Sequence, residues 1–478
     1  MAVLEGLKPE KVFGFFESIC QIPHGSDNTK QLSDWLVDFA KERGLEYYQD
    51  DLNNVIIIKE ASEGYENGEP VILQGHMDMV CDKVDGCEKD MAVEGIDLVV
   101  DGDVICADGT TLGGDDGVAI AFALAVLDDE TVKHPRVEAV FTVDEETGLY
   151  GAEGIDVTPL KGRRFINIDS EEEGILTVGC AGGVTAIAEF PVAREACEGK
   201  AFALEISGLT GGHSGTEIIR GGENALKSMG RLLFELQDKA DARLVRIDGG
   251  AADNVIPVAS KAIVVAADGD KVAALCDEYR AIFKHEYKVD PNVDLTVSEV
   301  AIEETPMDFV SGQKVIAYLC GTPNGVEKMT VGIDGLPQTS LSLGVVKTEA
   351  DKVGYVFCIR SAVDSECEML ARRLENMAYA LGGTVRREGP YPGWEYMPVS
   401  PLRDLVCEVY KDQYGKDMIV EAIHAGLECG YFSAKIPGLD CVSIGPDVTD
   451  VHTPKEALHI ASVQRTWDLL VEVLARMK

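Results

Sequence analysis

Four short apolar runs limit what this chain can fold into. They are Asn54–Ile58 (NVIII), Pro70–Gln74 (PVILQ), Val137–Val143 (VEAVFTV) and Arg164–Ile168 (RFINI). Each is too short for a buried helix and carries little period-2 alternation, so each reads as a strand covered on both faces. Val118–Leu127 reads as a helix opening after a Gly/Asp turn. Buried strands alternating with helices predict an α/β layer. The N-terminal stretch has helical periodicity, with Val12, Phe15, Phe16 and Ile19 on one face. It lacks a basic start followed by an apolar run, so no signal peptide is expected. No stretch approaches the roughly 18 apolar residues of a membrane span.

Near residue 180 the texture changes. Val184–Phe190 and Ala201–Ser207 alternate as half-buried antiparallel strands do. A helix is expected from Glu223 to about Lys239. Strand and helix patterns then continue through Ala262–Ala266, Asp270–His285, Val293–Val300, Ser340–Glu349, Lys352–Arg360 and Glu366–Leu381. After a Pro/Gly/aromatic linker at Tyr391–Pro398, α/β texture returns. Helix Leu402–Tyr414, strands Met418–Ala422 and Asp440–Ile444, and helix Ser462–Met477 are expected there. A chain of 478 residues exceeds one ordinary core. The pattern predicts a discontinuous α/β domain, 1–180 plus 398–478, interrupted by an α+β domain at 181–397. No internal repeat stands out.

Composition narrows the partners. Lys and Arg number 43 and Asp and Glu 83, a net charge of −40. So acidic a surface repels phosphate backbones and anionic lipid, which argues against nucleic-acid and membrane partners. It leaves carboxylates from which a cation site could be built, without locating one. The thirteen cysteines are scattered with no C-x-x-C pair. That excludes a zinc ribbon and fits the reduced thiols of a cytoplasm.

The location comes from the ends of the strands. His76-Met77-Asp78 follows PVILQG, and in extended chain His76 and Asp78 share a face. Open α/β sheets place ligands at such carboxyl ends. Asp115 and Asp116 lie in GGDDG ahead of a helix, Glu145 and Glu146 follow VEAVFTV, and Asp169 closes RFINI. His452 lies in GPDVTDVHTPKE, in the returning segment. Each alone has a plain structural explanation: a paired histidine, a first-turn acid, a solvated loop. Together they are His and carboxylate donors without thiolates, which suits zinc or a related divalent ion in a hydrolytic site. The stretch Asp101-Gly-Asp-Val-Ile lacks the EF-hand ligand offsets and reads as a turn between strands.

At this point the sequence resembles the dinuclear-zinc peptidases that include carnosinase, tripeptide aminopeptidase and the bacterial aminoacyl-histidine dipeptidases, the last group most of all. The matching motifs are QGHMDMV (74–80), GGDDGVA (113–119), TVDEETGLYGA (142–152), NIDSEEEG (167–174), LTGGHSG (209–215), DNVIP (253–257), HAGLECG (424–430) and GPDVTDVHTP (445–454). They run in family order through both expected domains.

The resemblance implies a mixed-sheet, three-layer catalytic domain with an inserted lid and dimerisation domain. It implies two zinc ions, with manganese or cobalt as substitutes. His76, Asp115, Glu146, Asp169 and His452 would be the ligands. Asp115 would bridge, with Glu146 on one metal and Asp169 on the other. Asp78 would orient His76 through its second nitrogen, and Glu145 would be the general base. His213 would stabilise the oxyanion from the insert. Asn254, Arg360 and Gly426 would meet the substrate, Arg360 gripping its terminal carboxylate. Asp116 departs from the Lys, Asn or Met often found after the bridging acid. If it took the bridge, the assignment would shift by one residue.

The implied activity is a cytoplasmic, homodimeric metallodipeptidase acting on short unblocked peptides, Xaa-His dipeptides such as β-alanyl-histidine foremost. Cysteinylglycine, tripeptides and N-acyl amino acids are the alternative substrates. A non-catalytic binding protein is disfavoured because Glu145 and all five ligands are present.

Overall fold

The computed structural model describes residues 3–478 and divides the chain into two units. The first comprises the chain up to Gly179, Tyr396–Ala422 and Leu427–Lys478. The second comprises Cys180–Glu395 and Ile423–Gly426.

The first unit is built on an eight-stranded mixed sheet. Its strand order is Glu46–Gln49, Val55–Lys59, Val137–Thr142, Val71–His76, Arg164–Asn167, Asp440–Ser443, Ile175–Cys180 and Ile419–Ile423. The four central strands, from Val137–Thr142 to Asp440–Ser443, run parallel. All four apolar runs of the sequence form strands here. Their continuous hydrophobicity reflects burial on both faces: every residue of Val55–Lys59, Val71–His76 and Val137–Thr142 is buried. Helix Gly114–Asp128 packs on Val71–His76 and is buried along its apolar length. Gly75 permits that approach, since a Cβ there would stand 2.5 Å from the Ala119 methyl and from Asp116 Oδ2. In helix Glu10–Cys20 the buried face is Val12, Phe13, Phe16 and Ile19. Phe15, expected on that face, is half-buried beside Phe39.

The turn expected at Asp101 links hairpin strands Leu98–Asp101 and Val104–Ala107. A small sheet joins this hairpin to Ala457–His459 and Val448–Thr449 from the returning segment. That sheet brings the chain around His452 and Glu456 into the first unit.

The second unit carries a nine-stranded antiparallel sheet. Its long central strands are Pro337–Thr348, Lys352–Ser361 and Gly182–Pro191. Helices Ala225–Ala240, Gly269–Glu286, Phe309–Gly321 and Asp364–Ala380 contribute apolar faces to its core. Phe190, Tyr318, Tyr355 and Phe357 form a cluster of contacting rings there. A two-stranded ribbon, Gly212–His213 with Val255–Ile256, stands apart from that sheet. Among the described residues, no helix is long and apolar enough to cross a membrane.

Candidate metal centre and active site

The acids and histidines of the first unit converge at the carboxyl ends of the parallel strands. His76 ends Val71–His76, Glu145 and Glu146 follow Val137–Thr142, and Asp169 follows Arg164–Asn167. Asp115 has one oxygen for each histidine: Oδ1 lies 3.1 Å from His76 Nε2, and Oδ2 lies 3.2 Å from His452 Nε2. Asp169 Oδ1 is 3.5 Å from His76 Nε2, and Glu146 Oε1 is 3.0 Å from His452 Nε2. The donors thus form one group on each side of Asp115. Asp116 differs. It is buried, and its Oδ2 accepts the backbone N–H of His76 at 3.1 Å.

A loop held from a distance presents Asp115. The buried Glu456 carboxylate accepts N–H bonds from Leu112 (2.8 Å), Gly113 (3.1 Å), Gly114 (2.7 Å) and Asp115 (3.3 Å). Gly113 has φ +71°, the left-handed conformation glycine adopts at least cost. His452 has φ +61°, unusual for a side-chain-bearing residue and held only where its surroundings dictate it.

Asp78 does more than the sequence suggests. The nearest oxygen to His76 Nδ1 is the Asp78 backbone carbonyl at 2.9 Å; the carboxylate is 3.6 Å away, beyond hydrogen-bond range. The carboxylate instead accepts from Ser26 Oγ (2.8 Å) and the backbone N–H groups of Glu145 (3.0 Å) and Glu146 (3.3 Å). It holds the Glu pair, and the carboxylate and the backbone carbonyl both face His76 Nδ1.

The electrostatics fit a divalent cation. Burial, with Asp115 and Glu146 nearby, pushes Asp169 up to about 6 against the pull of His76. Burial, then Asp169 and Glu428, lift Glu145 well above the carboxylate range. Burial with Asp115 and Asp169 brings Glu171 to about 7. The carboxylates of Asp115 and Glu146 raise His452 to about 10. Protons here take up charge that a cation would balance, because acids gathered this densely cannot all ionise unaided. Glu146 Oε1 is buried without a well-aligned hydrogen-bond donor, although His452 Nε2 is close. An acceptor and an imidazole nitrogen converging without a good hydrogen bond suit a shared metal ion.

The second unit gathers other expected residues. His213 pairs with Val255 across the ribbon, and Ser214 N–H donates to the Asn254 carbonyl at 2.8 Å. Asn254 itself is exposed. Arg360 Nη1 donates to Tyr391 Oη at 2.9 Å, and Nη2 lies 3.4 Å from His213 Nε2. Arg360 is buried and its Nε–H has no partner. Burial, then Arg360, lowers the His213 pKa and favours the neutral ring. A Cβ on Gly426 would stand 2.9 Å from Tyr391 Cε2, so close packing on Tyr391 accounts for this glycine.

Sequence reasoning missed Glu456, Ser26 and Tyr391. It quoted Glu428 and His424 without a role. His424 Nε2 lies 2.7 Å from Ser340 Oγ, and burial, then Arg360 and His213, hold it neutral at about 4. The partners of these residues lie far along the chain, so no local spacing marks them.

Known proteins resemble this chain in sequence and in fold. The sequence profile of Peptidase family M20/M25/M40 matches residues 72–476. The chain belongs to that family. It is therefore a peptide hydrolase of the M20 type. It is 39% identical to the cytosol non-specific dipeptidase of Escherichia coli (strain K12) over 479 aligned residues, covering 99% of each chain. It matches the crystal structure of aminoacylhistidine dipeptidase from Vibrio alginolyticus with TM-score 0.96 and 37% identity, covering 98% of this chain and 97% of that one. The aminopeptidase PepT of Bacillus cereus shares the fold at TM-score 0.56 and 16% identity, over 98% of this M20 chain and 99% of PepT.

Proposed function

We propose that this M20 peptidase is a dinuclear metallodipeptidase for short unblocked peptides, Xaa-His dipeptides such as β-alanyl-histidine foremost. One observation carries the reading: the two oxygens of Asp115 face two different histidines, at 3.1 and 3.2 Å. Asp115 would be shared between two metals, with His76 and Asp169 holding one and Glu146 and His452 the other. Zinc is the favoured ion, with manganese or cobalt as substitutes. Bound divalent ions lower the pKa of a coordinated water and polarise a carbonyl oxygen.

The protein's own groups do the rest. Glu145, its N–H held by Asp78, takes the proton of the attacking water and returns it to the leaving amine. A neutral His213 donates to the developing oxyanion. The free Nε–H of Arg360 is available to a substrate carboxylate. Asn254 and Gly426 complete the proposed substrate contacts. A cytoplasmic homodimer, paired through the second unit, belongs to the same reading. The cytosolic Escherichia coli relative supports the compartment. Because that relative is named non-specific, broad dipeptide use is the second reading.

The test is chelation and reloading. Dialysis against a chelator should abolish dipeptide hydrolysis, and zinc, manganese or cobalt should restore it. Full activity in metal-free protein would reject the proposal. Glu145→Gln should bind metal like wild type yet lose roughly 100- to 10,000-fold in kcat. A panel of β-alanyl-histidine, other Xaa-His dipeptides, Cys-Gly, a tripeptide and an acetyl-amino acid separates the substrate readings.

A further inference from the structure

Beneath the metal centre lies a row of buried polar side chains that the chemistry above does not use. Gln74, Asn167 and Ser443 stand opposite one another on three adjacent parallel strands. Ser443 Oγ donates to Asn167 Oδ1 at 2.5 Å, and Asn167 Nδ2 donates to Gln74 Oε1 at 2.7 Å. Gln74 Nε2 donates to Glu428 Oε2 at 2.5 Å, and Thr142 Oγ1 donates to the same oxygen at 2.7 Å. Ser170 Oγ lies 2.8 Å from Ser443 Oγ; since the Ser443 proton is committed to Asn167, Ser170 is the donor.

Every donor in this row points towards Glu428. Side-chain amides have fixed polarity, so reversing Gln74 would set its NH2 against that of Asn167 and break both bonds. A single carboxyl acceptor at one end therefore orients the whole row. The row also reaches the catalytic strand ends. Gln74 is two residues before His76, and Thr142 is three before Glu145. Asn167 is two before Asp169, whose N–H it accepts at 3.4 Å. Glu428 is completely buried and stands outside the three clusters of candidate donors that His76, Asp115 and their neighbours form. Its Oε1 has no hydrogen-bond partner.

We propose that Glu428 is a positioning residue for the metal centre: its carboxylate fixes the polarity of the row that holds the strand ends carrying His76, Glu145, Glu146 and Asp169. This rests on the metal-ligand reading given above. Outer partners of metal ligands typically change affinity or activity about 10- to 100-fold when removed.

The experiment measures zinc affinity by competition with a chromophoric chelator, beside kcat and KM, in otherwise intact protein. Glu428→Met keeps the volume but removes the acceptor. It should weaken zinc binding about 10- to 100-fold and lower kcat more than it raises KM. Glu428→Gln keeps an oxygen for both donors and should recover most of the loss. Thr142→Val should weaken zinc binding in the same direction and be non-additive with Glu428→Met. This variant keeps the test open if Glu428→Met does not fold. Wild-type zinc affinity in Glu428→Met or Thr142→Val, or a Gln variant no better than Met, overturns the inference alone. A wild-type protein that takes up no metal overturns the proposed function and the inference together.

Discussion

Four consecutive backbone N–H groups converge on one carboxylate in the loop that presents Asp115. Glu456→Ala would leave those donors buried and unpaired. Stability should fall by about 3 kcal/mol in urea unfolding, and zinc affinity should fall with it. Glu456→Gln, with one good acceptor oxygen, should lie between. Arg360 is tested differently. Arg360→Lys cannot keep the Tyr391 bond and offer a second prong, so KM should rise about tenfold with less change in kcat. An equal loss in both would reject substrate binding as its role. These residues also show where reading the sequence stops. His76, Asp115, Glu145, Glu146, Asp169 and His452 stood out as acids and histidines at the ends of apolar runs. Glu456 lies in HTPKE, four residues past His452, yet its partner Leu112 is 344 positions away. No local spacing announces such a bond. Asp78 was legible as an orienting group for His76, but not that its carboxylate also holds the Glu pair.

Secondary-structure elements were legible in proportion to how completely they are buried. The central strands declare themselves because both faces are covered, so their residues are apolar without interruption. Helix Phe309–Gly321 went unread for a different reason. Its sequence, FVSGQKVIAYLCG, carries an internal glycine and β-branched residues that lower helix propensity, and packing of Val315, Ile316, Tyr318 and Leu319 overrides that. Contacts between elements were not legible at all. Gly445 looks like an ordinary loop glycine, yet a Cβ there would stand 1.5 Å from the Ser170 carbonyl oxygen. Ser170 N–H in turn donates to the Ile444 carbonyl at 3.3 Å. Gly445→Ala must therefore push strand Asp440–Ser443 away from the chain after Asp169. The expected cost is about 3 kcal/mol, read by urea unfolding, with weaker zinc binding. A variant as stable as wild type would show that the two segments yield independently.

For the molecule as a whole, the acidic excess hides a different pH sensitivity. His134 is buried in the first unit and donates Nδ1–H to the Pro135 carbonyl at 2.7 Å. Burial lowers its pKa below the ordinary 6.5. The unfolded chain therefore takes up this proton at a higher pH than the folded one. Its contribution is complete above the ordinary value and is lost as pH falls below it. The advantage of wild type over His134→Gln in unfolding free energy should shrink between about pH 7.5 and about pH 5.5. A pH-independent difference would remove His134 from the acid response. The strand order of the mixed sheet bears on how the protein is made. Arg164–Asn167 and Ile175–Cys180 are close in sequence, but Asp440–Ser443 stands between them. On the ribosome the slot between them stays empty while more than two hundred intervening residues are translated, on the order of tens of seconds. During that time two strand edges lack their partner, and His452, a proposed metal ligand, has not yet been made. The nascent peptidase is thus inactive and open-edged until the last part of its chain emerges, and a chaperone that covers sheet edges has its greatest use in that interval.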